Sequence, residues 1–261
     1  MINIRTDNDK IKTTRLYKAT APLKKTISDA THTLTEISFL VLRIETVSGI
    51  TGESYLLSFQ YSPKAIAGAI KDIEALAKNF TIWETGKFNE AAAASCEYFG
   101  NTGLLNWASA LVNIAMWDAK GKSLQLPIHK ILGVSKDKVP IYGSGGWLSY
   151  TIDELVEEVS DYVSRGFKAV KIKVGSKNWK DDLHRLKTVR EAVGKDVKIM
   201  MDANQGMDVP EACQLAVAAE ELEIYWFEEP VHHQNFDGYK KIKGSSSISL
   251  AMGEREFDTI P

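Results

Sequence analysis

Several things are scarce in this 261-residue chain, and each scarcity excludes something. Two cysteines, Cys96 and Cys213, cannot build a disulfide framework. No run approaches the roughly 18 consecutive apolar residues of a membrane span. The N-terminus, MINIRTDNDKIK, lacks the apolar core of a secretory signal. Neither sign of charge is in excess: 32 Lys and Arg stand against 34 Asp and Glu, a net charge of −2. That balance gives no general attraction to nucleic acid or anionic membrane. No repeat or low-complexity tract stands out. What remains is an ordinary globular composition, 44% hydrophobic and 25% charged, with a cytoplasmic address as the default.

The texture changes near residue 138, which suggests two domains, 1–137 and 138–261. In the first part, Thr13 to Thr20, Ile37 to Glu45 and Glu53 to Phe59 have strand character, and Val47 to Gly52 is turn chemistry. Thr20 to Thr35 is polar and reads as a loop. Pro63 opens an amphipathic helix carrying Ile66, Ile70, Ile73 and Leu76. A second helix is expected from Leu104 to Lys122, with Trp107, Leu111, Ile114 and Trp117 on one face. From Val139 onward strands and helices alternate. Strands are expected at Val139–Tyr142, Ala169–Val174, Val197–Met201, Tyr225–Phe227 and Ile248–Met252. Helices are expected at Ile152–Arg165 with Thr151 as N-cap, Trp179–Val193, Val209–Leu222 and Phe236–Ile242. Such alternation predicts a parallel sheet, which a doubly wound fold and a TIM-type barrel both satisfy.

In parallel α/β folds, ligands bind at the C-terminal ends of the strands. Lys171 and Lys173 stand there on the second strand, Asp202 and Asn204 on the third, Glu228 and Glu229 on the fourth, and Glu254 on the fifth. Lys171 and Lys173 share a face. Two adjacent ammonium groups lower each other's pKa, which suits a general base, although two solvated lysines on an edge strand are the plainer alternative. Asp202, Glu228 and Glu254 offer hard oxygen ligands on three successive strand tips, a set that suits Mg²⁺. Singly each would be a cap or a surface charge; their recurrence in register argues for a site. His232 and His233 read chiefly as polar loop residues, and adjacent histidines do not make a zinc motif. Gly143 to Gly146 could suggest a phosphate loop, but lacks the Walker lysine and the dinucleotide spacing, so a tight first strand-to-helix turn is the better reading.

The motifs in FKAVKIKVG, MMDANQG, WFEEP and MGE, together with Met116 to Lys122 and Leu126 to Gly133, resemble the enolase superfamily. The resemblance is closest to its mandelate racemase and muconate lactonizing branch and spans about residues 13–257. It implies an α+β N-terminal capping domain followed by a modified TIM (β/α) barrel, of which about the first five strands are present. It implies Mg²⁺ bound by Asp202, Glu228 and Glu254, with Glu229 behind them. It implies Lys173 as the base that removes a proton α to a carboxylate. Lys171 would lie beside it, contacting the substrate carboxylate and depressing the pKa of Lys173, and Asn204 would reach substrate or metal-bound water. Thr20 to Thr35 would close over the substrate.

The implied partner is a small-molecule carboxylate, with no nucleic acid or membrane and, by analogy, a homo-oligomer. Acid-sugar dehydration is the leading activity. Racemisation or epimerisation of a 2-hydroxy acid or a dipeptide is the alternative, and an inactive binding or assembly relative is the alternative of another class. The superfamily's further acid–base groups sit on later strands, and none of His32, His129, His184, His232 and His233 matches them by motif. A five-stranded remnant would expose sheet edges. A fragment of a longer enzyme, completion by another chain, or a degenerate relative would each account for it, and the intact motifs favour the first.

Overall fold

The computed structural model describes residues 6–59, 62–99 and 103–256. They divide into two compact units, one of residues 6–23 and 36–137, the other of residues 24–35 and 138–256.

The first unit is built on a three-stranded sheet in the order β1 (Ile11–Ser28), β2 (Thr33–Thr46), β3 (Thr51–Phe59). β2 and β3 pair antiparallel, with Leu40 opposite Leu56 and Ile44 opposite Gly52. The alternation of β2 places Leu40, Leu42 and Ile44 on one buried face. They join a core with Ile66, Ile70 and Ile73 of α1 (Pro63–Ala77) and with α3 (Gly103–Leu124). The expected face of α3 needs correction. Leu111 is buried, but Ile114 is 54% exposed, and the buried stripe runs through Ala108, Val112, Ala115, Met116 and Ala119. Its small residues bring the helix backbone against β3, where a Cβ on Gly52 would collide with the Ala115 carbonyl and Ala119. The Ala-rich helix α2 (Thr85–Ser95) buries only Phe88 and Ala92, too short an apolar stripe to stand out in the sequence. A single turn, α4 (Ile128–Ile131), ends this unit's helices.

The expected loop from Thr20 to Thr35 is mostly strand. β1 runs to Ser28 and β2 begins at Thr33, leaving only residues 29–32 as a turn. The Asp29 carboxylate accepts the N–H groups of Thr31 and His32, each at 2.7 Å, and the Asp29 N–H donates to the His32 carbonyl. This short side chain does what a longer loop would do. Much of the far half of β1 is exposed, so no hydrophobic alternation marks it as a strand.

The second unit holds five parallel strands in chain order: β4 (Gly143–Gly145), β5 (Ala169–Lys173), β6 (Lys198–Asp202), β7 (Ile224–Glu228) and β8 (Leu250–Ala251). Helices α5 (Ile152–Ser164), α6 (Trp179–Val193), α7 (Val209–Ala218) and α8 (Phe236–Ser245) connect them. Spatial order that follows chain order is the winding of a TIM-type barrel; a doubly wound sheet reverses. α5 opens with a capping box, Thr151 Oγ1 accepting the Glu154 N–H while the Glu154 carboxylate accepts the Thr151 N–H. One face of the sheet carries Val170, Ile172, Ile199, Met201 and Phe227, packed against Leu155, Leu186, Leu215 and Ile242 of the helices.

The first strand of this sheet is displaced from its expected position. Val139 to Tyr142 is not strand, and Val139 and Ile141 are 70% and 65% exposed. Among the described strands β4 pairs only with β5, and that pairing begins at Gly143, opposite Val170. The strand forms instead at Gly143–Gly145, where Cβ atoms would strike Tyr162 and Glu158 of α5. The expected glycine turn is therefore strand for three of its residues, and only Gly146, at φ +59°, turns the chain.

Candidate metal and acid–base site

The second sheet face is chemically different from the first. Alternation along β5, β6 and β7 turns Lys171 and Lys173, Met200 and Asp202, and Trp226 and Glu228 away from the helices. Register then places Lys173, Asp202 and Glu228 side by side at the strand ends. β5 is an interior strand and both lysines are 8% exposed, which removes the reading of two solvated edge lysines.

Lys173 Nζ donates to Asp202 Oδ2 at 2.6 Å. Lys171 Nζ bridges both Glu228 oxygens at 3.0 and 2.9 Å and stands 3.5 Å from Asp202 Oδ2. The Trp226 indole N–H donates to Glu228 Oε2 at 3.0 Å. Aromatic rings face the ammonium groups, Tyr142 at 5.7 Å from Lys171 and Trp147 at 5.4 Å from Lys173. The expected mutual lowering of the lysine pKa values is corrected at Lys171. Burial pulls it down most strongly, but Asp202 and Glu228 together outweigh burial and hold it above the ordinary lysine value.

Glu254 stands apart from this cluster. It follows β8, its side chain is 45% exposed, and its contacts are Asn204 Nδ2 at 3.4 Å and Arg255 at 3.5 Å. Among the described residues, no three His, Cys, Asp or Glu groups stand close enough together to hold a metal ion. The structure thus brings Asp202 and Glu228 together around two lysines and leaves Glu254 at the rim. The donor chemistry nevertheless fits a hard divalent cation. Its carboxylates lie on successive strand ends, and Asn204 Oδ1, in a residue 5% exposed, is buried without a hydrogen-bond partner. An orphaned acceptor carries a desolvation cost that a cation or a donor would relieve.

Glu229, 1% exposed, lies behind this edge with its Oε1 also unpartnered. Its other oxygen accepts from Gln205 Nε2 at 3.0 Å. Gln205 in turn accepts the His233 N–H at 3.0 Å, so His233 belongs to a loop-tying network, while the His232 ring lies against His233. Asn204, Gln205 and Glu229 all have positive φ, at 42°, 68° and 38°. Such conformations cost of order 1–3 kcal/mol each and persist where surroundings impose them. The Gln205 link could not be read from the sequence, because MDANQG offers no spacing signal for a contact made across two strands.

Burial pushes the Glu229 carboxyl up, assisted by Glu254 and Asp202 and opposed by Gln205 and Arg255. A raised carboxyl pKa contributes stability below the unfolded glutamate value, and that stability is lost as pH rises through the folded value. Glu229→Gln is therefore expected to flatten the loss of stability with rising pH over that window. Urea denaturation of both proteins across the acid range checks this; parallel pH profiles would contradict it.

The Asp29–His32 turn belongs to the same unit as these strand ends. Ala30 is seated against Gly175 and Gly206, where a Cβ on either glycine would strike it. Thr31 Oγ1 donates to the Asn204 carbonyl at 3.2 Å, and the Ser28 carbonyl accepts the Leu148 N–H at 2.8 Å.

The chain is similar to known proteins in sequence and fold. The family description "Mandelate racemase / muconate lactonizing enzyme, N-terminal domain" matches residues 11–133, and "Enolase C-terminal domain-like" matches residues 154–260. The chain is 41% identical over 161 residues to the arabinonate dehydratase of Saccharolobus solfataricus, covering 61% of this chain and 43% of that protein. It is 30% identical over 260 residues to the L-talarate/galactarate dehydratase of Salmonella typhimurium, covering 94% and 64%. The chain thus spans less than two thirds of the length of these curated relatives. The crystal structure of a racemase from Streptomyces coelicolor A3(2) with bound magnesium superposes with a TM-score of 0.88 at 28% identity, over 94% of this chain and 69% of that one. No helix among the described residues is long and apolar enough to cross a membrane. Both family matches, the chain-ordered parallel sheet and the related structure agree: the chain belongs to the mandelate racemase and muconate lactonizing branch of the enolase superfamily.

Proposed function

We propose that this chain carries the base and the metal ligands of an Mg²⁺-dependent enzyme that removes a proton α to a carboxylate, with acid-sugar dehydration as its reaction. The observation that carries this reading is the Lys171, Lys173, Asp202 and Glu228 cluster, two buried ammonium groups against two carboxylates at the strand ends. Asp202, Glu228 and Glu254 are assigned as the Mg²⁺ ligands, with Glu229 behind them. When bound, Mg²⁺ supplies charge neutralisation for an α-proton abstraction that would otherwise place a second negative charge on an anion.

The chain's own residues do the rest. As the neutral amine, Lys173 takes the α-proton onto the Nζ lone pair, and Asp202, 2.6 Å from Nζ, stabilises the resulting ammonium. Lys171 presents a second positive charge to the substrate carboxylate. Asn204 reaches the substrate with its unpartnered Oδ1. In dehydration the electron pair of the broken C–H bond forms a C=C bond as the β C–O bond breaks, and the leaving hydroxyl takes a proton from the Lys173 ammonium and departs as water, which returns Lys173 to the neutral amine. The enol then becomes a 2-keto acid. Similarity to two sugar-acid dehydratases supports this choice, and similarity to a racemase supports reprotonation as the second reading.

The test is a panel of acid sugars incubated with the protein and Mg²⁺ in heavy water, followed by NMR. Loss of the α-proton signal with appearance of a 2-keto acid is expected. Exchange without elimination would move the assignment to a racemase or epimerase. Absence of exchange across the panel, by protein shown to bind Mg²⁺, would contradict the base assignment.

A further inference from the structure

Lys173 is held by more than its carboxylate. On α6, Asp182 and Arg185 lie one turn apart and are almost fully buried, 0% and 6% exposed. Buried charges carry a large desolvation cost, so their hydrogen bonds show what they hold. Asp182 accepts the N–H groups of Gly175 and Ser176 at 2.9 Å each and the Ser176 hydroxyl at 2.6 Å, fixing the chain just after Lys173. Arg185 donates to three carbonyls of the turn after β4: Gly146 at 2.8 Å, Trp147 at 3.0 Å and Tyr150 at 3.3 Å. The Gly146 carbonyl also accepts the backbone N–H of Lys173 at 3.1 Å. One oxygen therefore joins the Arg185 guanidinium to the Lys173 backbone, and the next residue, Trp147, lays its ring 5.4 Å from the Lys173 ammonium. Gly146 has no side chain to brace this turn, and a Cβ there would strike Ile172.

We propose that Arg185 is a positioning residue: through the Gly146 carbonyl and the Trp147 ring it fixes the place and the shielding of the Lys173 ammonium. Its catalytic meaning rests on the reading of Lys173 as the base; its structural content does not.

The same helix supplies a control. Arg190 also donates to backbone carbonyls, those of Leu222, Gly194 and Val197 among them, at the other end of α6. Its removal loosens the fold without touching the Lys173 turn. The experiment is residue-resolved acetylation of lysines by acetic anhydride, read by mass spectrometry, with thermal melts of each variant. Arg185→Met and Trp147→Leu are expected to raise Lys173 labelling severalfold. Arg185→Lys is expected to restore part of the protection, and Arg190→Met to lower the melting temperature with Lys173 labelling at the wild-type rate. Equal acceleration in Arg190→Met would overturn the proposal, since general loosening would then suffice. So would a folded Arg185→Met with wild-type labelling. Should Arg185→Met fail to fold, a folded Trp147→Leu with wild-type labelling overturns it equally. Where α-proton exchange is observed, Arg185→Met should lower turnover by up to about a hundredfold at unchanged KM, the scale of a misplaced catalytic group. Wild-type protein without exchange contradicts the proposed function and leaves the labelling result standing.

Discussion

Lys173→Met is expected to lower α-proton exchange by about 10²–10⁴-fold, the usual worth of a positioned general base, while Mg²⁺ binding tightens. The two effects have opposite signs because Lys173 occupies the Asp202 carboxylate at 2.6 Å. Removing the Lys173 side chain removes the amine that accepts the proton and frees a metal ligand together. Lys173→Arg separates charge from basicity, since a guanidinium retains the cation but stays protonated at any working pH. It should be as inactive as the methionine variant without the gain in metal affinity. Exchange rates by NMR and Mg²⁺ affinities by calorimetry check both halves. A Lys173→Met protein that exchanges at the wild-type rate would remove Lys173 from the chemistry.

The second large effect is on stability. Asp202 is 1% exposed and faces both lysines, and its Oδ1 accepts the Asn204 N–H at 3.0 Å. Asp202→Ala leaves Lys173 buried without its carboxylate and Lys171 with Glu228 alone. Breaking a buried pair in this way costs about 3–5 kcal/mol, because an uncompensated charge remains. The double variant Asp202→Ala, Lys173→Met is expected to be more stable than Asp202→Ala alone, as residues in direct contact couple strongly. Denaturant titrations of the two single variants, the double variant and the wild type measure the coupling. Additive losses would show that the pair contributes nothing as a pair.

Much of the second unit was legible because its signals are local. α6 occupies Trp179–Val193 and Thr151 caps α5, both as expected from the sequence. The juxtaposition of Lys171, Lys173, Asp202 and Glu228 was legible because strand alternation places the two lysines together and register carries the carboxylates beside them, whereas Glu254 stands apart at the rim. What was not legible depends on contacts far apart in sequence. The far half of β1 lacks alternation, and the Asp29 carboxylate replaces a loop. Val139 to Tyr142 has the composition of a strand, but pairing with β5 begins only at Gly143. The pKa of Lys171 could not be inferred from its lysine neighbour, because two carboxylates on other strands decide it. No sequence signal singles out Arg185 on α6; its bonds to the Gly146, Trp147 and Tyr150 carbonyls do.

The most direct measurement is a calorimetric Mg²⁺ titration of the 261-residue chain beside Asp202→Ala and Glu228→Gln. Saturable binding in the wild type, lost in Asp202→Ala and weakened in Glu228→Gln, is the expected result. It would show that the strand-end carboxylates form one metal site despite the lysines paired with them. Binding of equal strength in all three proteins, or none in the folded wild type, would contradict the assignment of these residues as ligands.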